Sequence, residues 1–112
     1  MLEGLLIDEL FAGENQYMRD HRGHTVIVAV EDSGLASTKA RLFVDGRLID
    51  TAQALTTTVR LQGELGEHGR PHRIEVRVSI RLLGGVRSCD LIDDTGEYPM
   101  RRLHSGPSGR AR

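Results

Sequence analysis

A strict alternation of aliphatic and polar residues between His72 and Leu82 constrains the fold of this chain more than any other feature of its sequence. The aliphatic positions are Ile74, Val76, Val78, Ile80 and Leu82, and the polar positions between them are Arg73, Glu75, Arg77, Ser79 and Arg81. Because successive side chains of a β-strand point to opposite faces, this pattern predicts a strand with one dry face and one wet face. Such strands are typical of antiparallel sheets that pack one face on a core.

The same alternation of aliphatic and polar residues recurs in several segments between residues 24 and 103, and turn residues separate these segments. The predicted strands are His24–Val30, Ala40–Val44, Arg47–Thr51, Thr57–Leu65, His72–Leu82, Val86–Ile92 and Tyr98–Leu103. Asp45-Gly46 favours a type I′ turn, which joins paired strands tightly, and Pro99 places the last strand at a sheet edge. No helix intervenes, so the chain is predicted to be mainly all-β, an antiparallel meander of six to seven strands forming a small sandwich or barrel.

The two termini differ from this pattern. Leu2, Leu5, Leu6 and Leu10 recur at helical spacing and predict a short amphipathic helix over residues 1–13. Residues 14–23 are predicted to be a polar connection, and residues 105–112 form a small, polar and basic segment that we expect to be disordered. The 112 residues supply one hydrophobic core, which predicts a single β-rich domain over 1–104.

Composition narrows the class of protein. The single cysteine, Cys89, excludes an intramolecular disulfide and favours a reducing cytoplasm. No signal peptide is recognisable, and no segment reaches the ~20 apolar residues of a membrane-spanning helix. We therefore predict a cytoplasmic protein that neither enters a membrane nor requires a cofactor. Cys89 is expected to point into the core beside Leu91, as packing and not as a nucleophile.

Histidines provide one candidate site. His21 and His24 are spaced H-x-x-H, and His68 and His72 are spaced H-x-x-x-H. Two neighbouring loops would thereby offer four imidazoles to a zinc ion. The alternative interpretation is that all four are solvated surface side chains.

Charged residues provide two further candidates. The outward positions Arg60, Arg73, Arg77 and Arg81 would form an anion-binding face, which Glu64 and Glu75 dilute. The face carries no aromatic residue for base stacking, so nucleic-acid binding is not expected, and a solvated sheet face is the alternative. The acidic residues of one hairpin are Asp90, Asp93, Asp94 and Glu97. They are interpreted as turn residues, since their spacing does not match a calcium loop.

The leading hypothesis is a non-enzymatic interaction or accessory protein that contacts a protein partner or a second copy of itself through Leu2, Leu6 and Leu10. The alternatives are an anion binder and a ligand-binding or catalytic β-barrel with His24, His72 or Arg41 at its mouth. An ionisable residue pointing into an internal cavity would favour the barrel, and an aliphatic interior would favour the interaction protein. The strand layout around Val44-Asp45-Gly46 resembles the β-sandwich module of Fas apoptosis inhibitory molecules over one hairpin and a meander, a likeness that implies no function.

Overall fold

A computed structural model describes residues 15–32, 38–54, 57–81 and 85–103 of the protein. Within these ranges the chain forms nine strands: β1 (Asn15–His21), β2 (His24–Asp32), β3 (Thr38–Val44), β4 (Arg47–Ala54), β5 (Thr58–Glu67), β6 (Arg70–Ile80), β7 (Val86–Asp93), β8 (Gly96–Pro99) and β9 (Arg101–Leu103). The first sheet has the order β4-β3-β2-β1-β9 and the second the order β5-β6-β7-β8. All pairings are antiparallel, as predicted. None of the described residues lies in a helix long and apolar enough to cross a membrane.

Two strand predictions need correction. Asn15–His21, predicted as part of a polar connection, is strand β1 and pairs with β2 along its whole length. The predicted strand over Tyr98–Leu103 is divided at Met100 into β8 and β9, which belong to different sheets. Pro99 ends β8, the edge strand of the second sheet, as its missing amide hydrogen requires. The predicted helix over 1–13 and the tail over 105–112 lie outside the described residues.

Hairpin turns set the arrangement of the strands. In the turns Arg22-Gly23, Asp45-Gly46 and His68-Gly69, both residues have positive φ, between 52° and 85°. This is the backbone of a type I′ turn, whose twist matches that of paired strands. These turns and the β7–β8 turn contact one another through side chains described below, and together they form the hairpin end of the molecule.

The core lies between the two sheets. Its buried members are mainly Val, Leu and Ile, and the row Ile74, Val76, Val78 and Ile80 contributes from β6 as predicted. Cys89 is buried in the same cluster, also as predicted. A second, small cluster of Ile27, Ala29 and Phe43 lies apart from this core on β2 and β3.

The two sheets approach each other closely along β4 and β5. β4 and β5 belong to different sheets and do not pair through their backbones. Instead, the Asp50 carboxylate on β4 accepts a hydrogen bond from the backbone N–H of Gln62 on β5, at 2.8 Å. Next to it, a Cβ atom built on Gly63 would lie 3.1 Å from both Ile49 Cγ2 and Leu42 Cδ2. Glycine at this position therefore allows the two strands to pack in contact.

Replacement of Gly63 by valine should destabilise the protein, because the added carbons overlap Ile49 and the fully buried Leu42. Ile49 and Leu42 would have to shift by a few tenths of an ångström, and we expect a loss of about 1–3 kcal/mol in the free energy of unfolding, measured by urea denaturation. Gly66→Val is the matched control on the same strand, since a Cβ there meets nothing within 4 Å. Equal stability of the two variants would contradict this account of the contact.

Candidate functional site

The hairpin end gathers ionisable side chains from both sheets around Asp93, the last residue of β7. The side chain of Asp93 has an exposed fraction of 0%. Its Oδ2 lies 2.7 Å from Nε2 of His21 on β1 and 3.0 Å from Nε2 of His72 on β6. Its Oδ1 accepts hydrogen bonds from the backbone N–H and the hydroxyl of Thr95, at 2.8 and 2.6 Å. Three strands and one turn thus converge on a single carboxylate.

Asp93 is ionised in spite of its burial. Desolvation by burial would raise its pKa, but hydrogen bonds from His72, Thr95 and His21 together outweigh it and hold the pKa of Asp93 far below the ordinary value. An ionised carboxylate only accepts hydrogen bonds, so both imidazoles donate through Nε2–H.

Arg22, in the β1–β2 turn, joins this centre to Glu67 at the end of β5. Its Nη1 lies 2.9 Å from both carboxylate oxygens of Glu67, and its Nε lies 3.4 Å from Asp93 Oδ2. The hydrogen bond from Arg22 is the main reason that the pKa of Glu67 is lowered. The guanidinium therefore sits between two carboxylates of the second sheet.

His24 forms a separate connection between the sheets. Its Nδ1 lies 2.6 Å from Asp45 Oδ2, and its Nε2 lies 2.7 Å from the carbonyl oxygen of Gly66 on β5. Neither a carbonyl nor an ionised carboxylate donates, so both ring nitrogens donate and the ring is an imidazolium. The hydrogen bond with Asp45, followed by that with Gly66, raises the pKa of His24.

An open groove of about 1060 Å³ adjoins the Asp93 centre. Its lining includes the apolar residues Ile49 and Ile92 and the charged residue Arg73. His72 and Asp93 belong both to the centre and to the wall of the groove. A ligand in the groove would therefore be able to reach the centre.

The structure brings together only part of the predicted histidine site. Among the described residues, the group of potential metal ligands whose atoms lie within 4.8 Å of one another comprises His21, His72 and Asp93. His24 is engaged by Asp45 and Gly66 instead, and His68 lies exposed in the β5–β6 turn. Asp93 was interpreted from the sequence as a turn residue. It has that role through Thr95, but its contact with His21, 72 positions away, has no local signal.

The other predicted site residues are more dispersed. Arg60 and Arg77 pair with Glu75 and Glu97, at 3.2 and 2.9 Å, whereas Arg73 on β6 and Arg81 just after β6 are exposed. Carboxylates are thus interleaved with the arginines, and anion binding by this face stays a prediction. The predicted contact residues Leu2, Leu6 and Leu10 lie outside the described residues.

The Cys89 thiol is enclosed by the core, 3.7 Å from Met100 Sδ. Burial raises the pKa of Cys89 to about 12. A thiol with so high a pKa carries almost no thiolate at neutral pH, which supports its interpretation as packing.

Comparison with known proteins gives no further assignment. No family model matches the chain, and no curated protein or solved structure proved similar to it.

The imidazolium of His24 should make stability depend on pH. Its folded-state pKa is raised, so its contribution is fully present below the unfolded-state pKa of about 6.5 and is lost as the pH rises through the folded-state value. Urea denaturation between about pH 5 and pH 9 should show this loss in the wild type and a smaller loss in His24→Gln. His68→Gln is the control and should retain the wild-type pH dependence. An NMR titration in which His24 titrates below 6.5 would contradict the assignment.

Proposed function

We propose that this protein is a non-enzymatic interaction module that acts through protein contacts and pairs first with a second copy of itself. The observation that carries the proposal is an apolar pair on β4, the edge strand of the first sheet. Leu48 and Ile49 are 55% and 42% exposed, and they are the large hydrophobic residues that the described part of the chain presents to solvent.

The geometry of β4 explains why two consecutive apolar residues are exposed. Phe43 pairs with Leu48 and Leu42 pairs with Asp50, so Ile49 is the extra residue of a β-bulge. A bulge turns neighbouring side chains away from strict alternation. Edge strands are usually protected by charges or prolines, and an apolar pair at an edge suits a symmetric contact in which each copy covers the other.

The interior between the two sheets favours an interaction module and argues against an internal ligand pocket. The side chains between the sheets are mainly aliphatic, and Leu61, Leu65, Val76 and Leu91 are fully buried there. Counted as whole residues, the buried polar ones in the described part of the chain are His21 and Thr38, and the enclosed Asp93 carboxylate lies at the hairpin end. A dry, aliphatic interior contributes stability and offers few polar groups for orienting a small molecule.

A second candidate function is ligand binding on the surface, in the groove that contains Ile49 and His72. Its volume of about 1060 Å³ matches the upper range of small-molecule sites, roughly 300–1,000 Å³. The lining combines the apolar side chains of Ile49, Ile74 and Ile92 with six ionisable residues, so a ligand there would have to be polar or charged over much of its surface. A ligand held there would contact Ile49, so self-association and ligand binding would compete.

For the cellular location we propose the cytoplasm. The chain has one cysteine, and Cys89 is buried as a free thiol. A reducing compartment is the environment in which such a thiol persists unmodified.

Replacement of Leu48 by serine should weaken self-association. A two-fold contact loses this side chain twice. Full burial of a leucine contributes about 1.5–3 kcal/mol, and Leu48 has 55% of its surface left to bury, so we expect the dimer dissociation constant to rise by about tenfold to a few hundredfold. Sedimentation velocity over a concentration series measures the change.

The control is Arg87→Ser, an exposed position on β7 of the other sheet, which should dimerise as the wild type does. Circular dichroism would check that all three proteins keep their β-structure. A wild-type protein that remains strictly monomeric at high micromolar concentration would refute the proposal.

A further inference from the structure

We infer that His21, His72 and Asp93 form a binding site for a divalent transition-metal ion of the zinc class. Their potential ligand atoms all lie within 4.8 Å of one another, although they come from β1, β6 and β7. The site lies at the hairpin end and uses none of the residues of the proposed β4 contact. It is therefore independent of the proposed self-association, although His72 and Asp93 also line the groove of the second candidate function.

The donor atoms suit this class of ion. Two imidazole nitrogens and one carboxylate oxygen are ligands that zinc and its neighbours prefer, whereas magnesium and calcium prefer oxygen alone. The separations of 2.7 and 3.0 Å between Asp93 Oδ2 and the two Nε2 atoms are shorter than the roughly 3.3 Å that tetrahedral bonds of ~2.0 Å would give. Each of these two separations would have to widen by a few tenths of an ångström to admit the ion.

The surrounding residues orient the ligands. Thr95 binds Oδ1 of Asp93 and leaves Oδ2 directed at the imidazoles. The Tyr98 ring packs against His21, with 5.0 Å between ring centroids, and its hydroxyl lies 2.7 Å from Thr95 Oγ1. Outer contacts of this kind fix the direction of metal ligands in proteins.

Metal binding requires a change in where each imidazole carries its proton. In the metal-free state Nε2 carries the hydrogen that is donated to Asp93. When Nε2 gives its lone pair to the ion, it no longer carries a hydrogen, and the hydrogen of the bound ring is on Nδ1. In His72 the Nδ1 atom lies 4.0 Å from Glu67 Oε1, which makes this carboxylate a nearby acceptor.

The charges at the site favour a divalent cation. The carboxylates of Asp93 and Glu67 and the guanidinium of Arg22 contribute a summed charge of −1 around the two imidazoles. Arg22 would lose its long contact of 3.4 Å with Asp93 and keep its contacts of 2.9 Å with Glu67. The Asp94 carboxylate lies outside the group of three ligands, although its Oδ1 is 3.7 Å from His72 Nε2 and its side chain is 79% exposed.

A metal ion here would connect the two sheets, because His21 belongs to the first and His72 and Asp93 to the second. An ion that binds the folded chain and not the unfolded chain stabilises the fold by mass action. We therefore expect zinc to raise the unfolding temperature and a chelator to reverse the increase.

The test is calorimetric titration of the full chain, prepared without a histidine tag and freed of metal by a chelator, with ZnCl₂ and separately with MgCl₂. We expect one zinc ion per chain with micromolar or tighter affinity, and magnesium binding weaker by about a hundredfold or more. His21→Gln and His72→Gln retain an N–H donor for Asp93 but remove the imidazole. Each should weaken zinc binding on the order of a hundredfold.

His68→Gln is the matched control, since it removes a histidine of the neighbouring turn that lies outside the ligand group. It should bind zinc as the wild type does. If a ligand variant fails to fold, NMR of the wild type decides: zinc should shift the Nε2 resonances of His21 and His72 and leave those of His68 unchanged. The inference is overturned if zinc does not bind saturably, if His68→Gln loses affinity equally, or if zinc perturbs only His68.

Discussion

Burial of one aliphatic row from each strand between two sheets is the interaction on which the rest of this structure depends. Leu61, Val76 and Leu91 lie on three neighbouring strands of the second sheet and are fully buried. Complete burial of such a side chain contributes about 1.5–3 kcal/mol, more than any single surface ion pair in the molecule. A slip of one residue in any strand would expose its whole row, so this burial also fixes the register of the sheets. The positions of the turns, and of the groups they carry, follow from it.

The hairpin end shows how a polar group is accommodated beside such a core. An ionised carboxylate without partners would not be tolerated at the exposed fraction of 0% found for Asp93. Here both oxygens are occupied, Oδ1 by Thr95 and Oδ2 by His21 and His72. The donors come from both sheets, so the same hydrogen bonds that satisfy the carboxylate also hold the sheets together at this end. The atoms of the candidate metal site are therefore the same atoms that connect the two sheets.

The two lateral edges of the sandwich are closed by different means. Along β4 and β5, Gly63 permits close contact and the Asp50 side chain replaces backbone pairing. On the opposite side the chain passes from β8 to β9 through Met100, and Arg19 of β1 places its guanidinium 4.6 Å from the centre of the Tyr98 ring. The backbone N–H of Met100 donates to the carbonyl of Cys89, at 2.9 Å, as the chain leaves the second sheet. Ile49 lies beside Gly63 in the first of these closures yet is still 42% exposed, and the adjacent Leu48 is 55% exposed, which is why this edge carries the proposed contact.

The sequence by itself determined the all-β, antiparallel class, the inward row of β6 and the Asp45-Gly46 turn, because side-chain alternation and positive φ are properties of neighbouring residues. It did not determine β1. The buried residues of this strand are Tyr17 and His21, so its sequence lacks the alternation of aliphatic and polar residues that predicts a strand. Only the tertiary structure decided that His21, His72 and Asp93 meet and that His24 and His68 do not join them. Residues 72 positions apart come together only when two sheets pack in one register, and no local pattern encodes that packing.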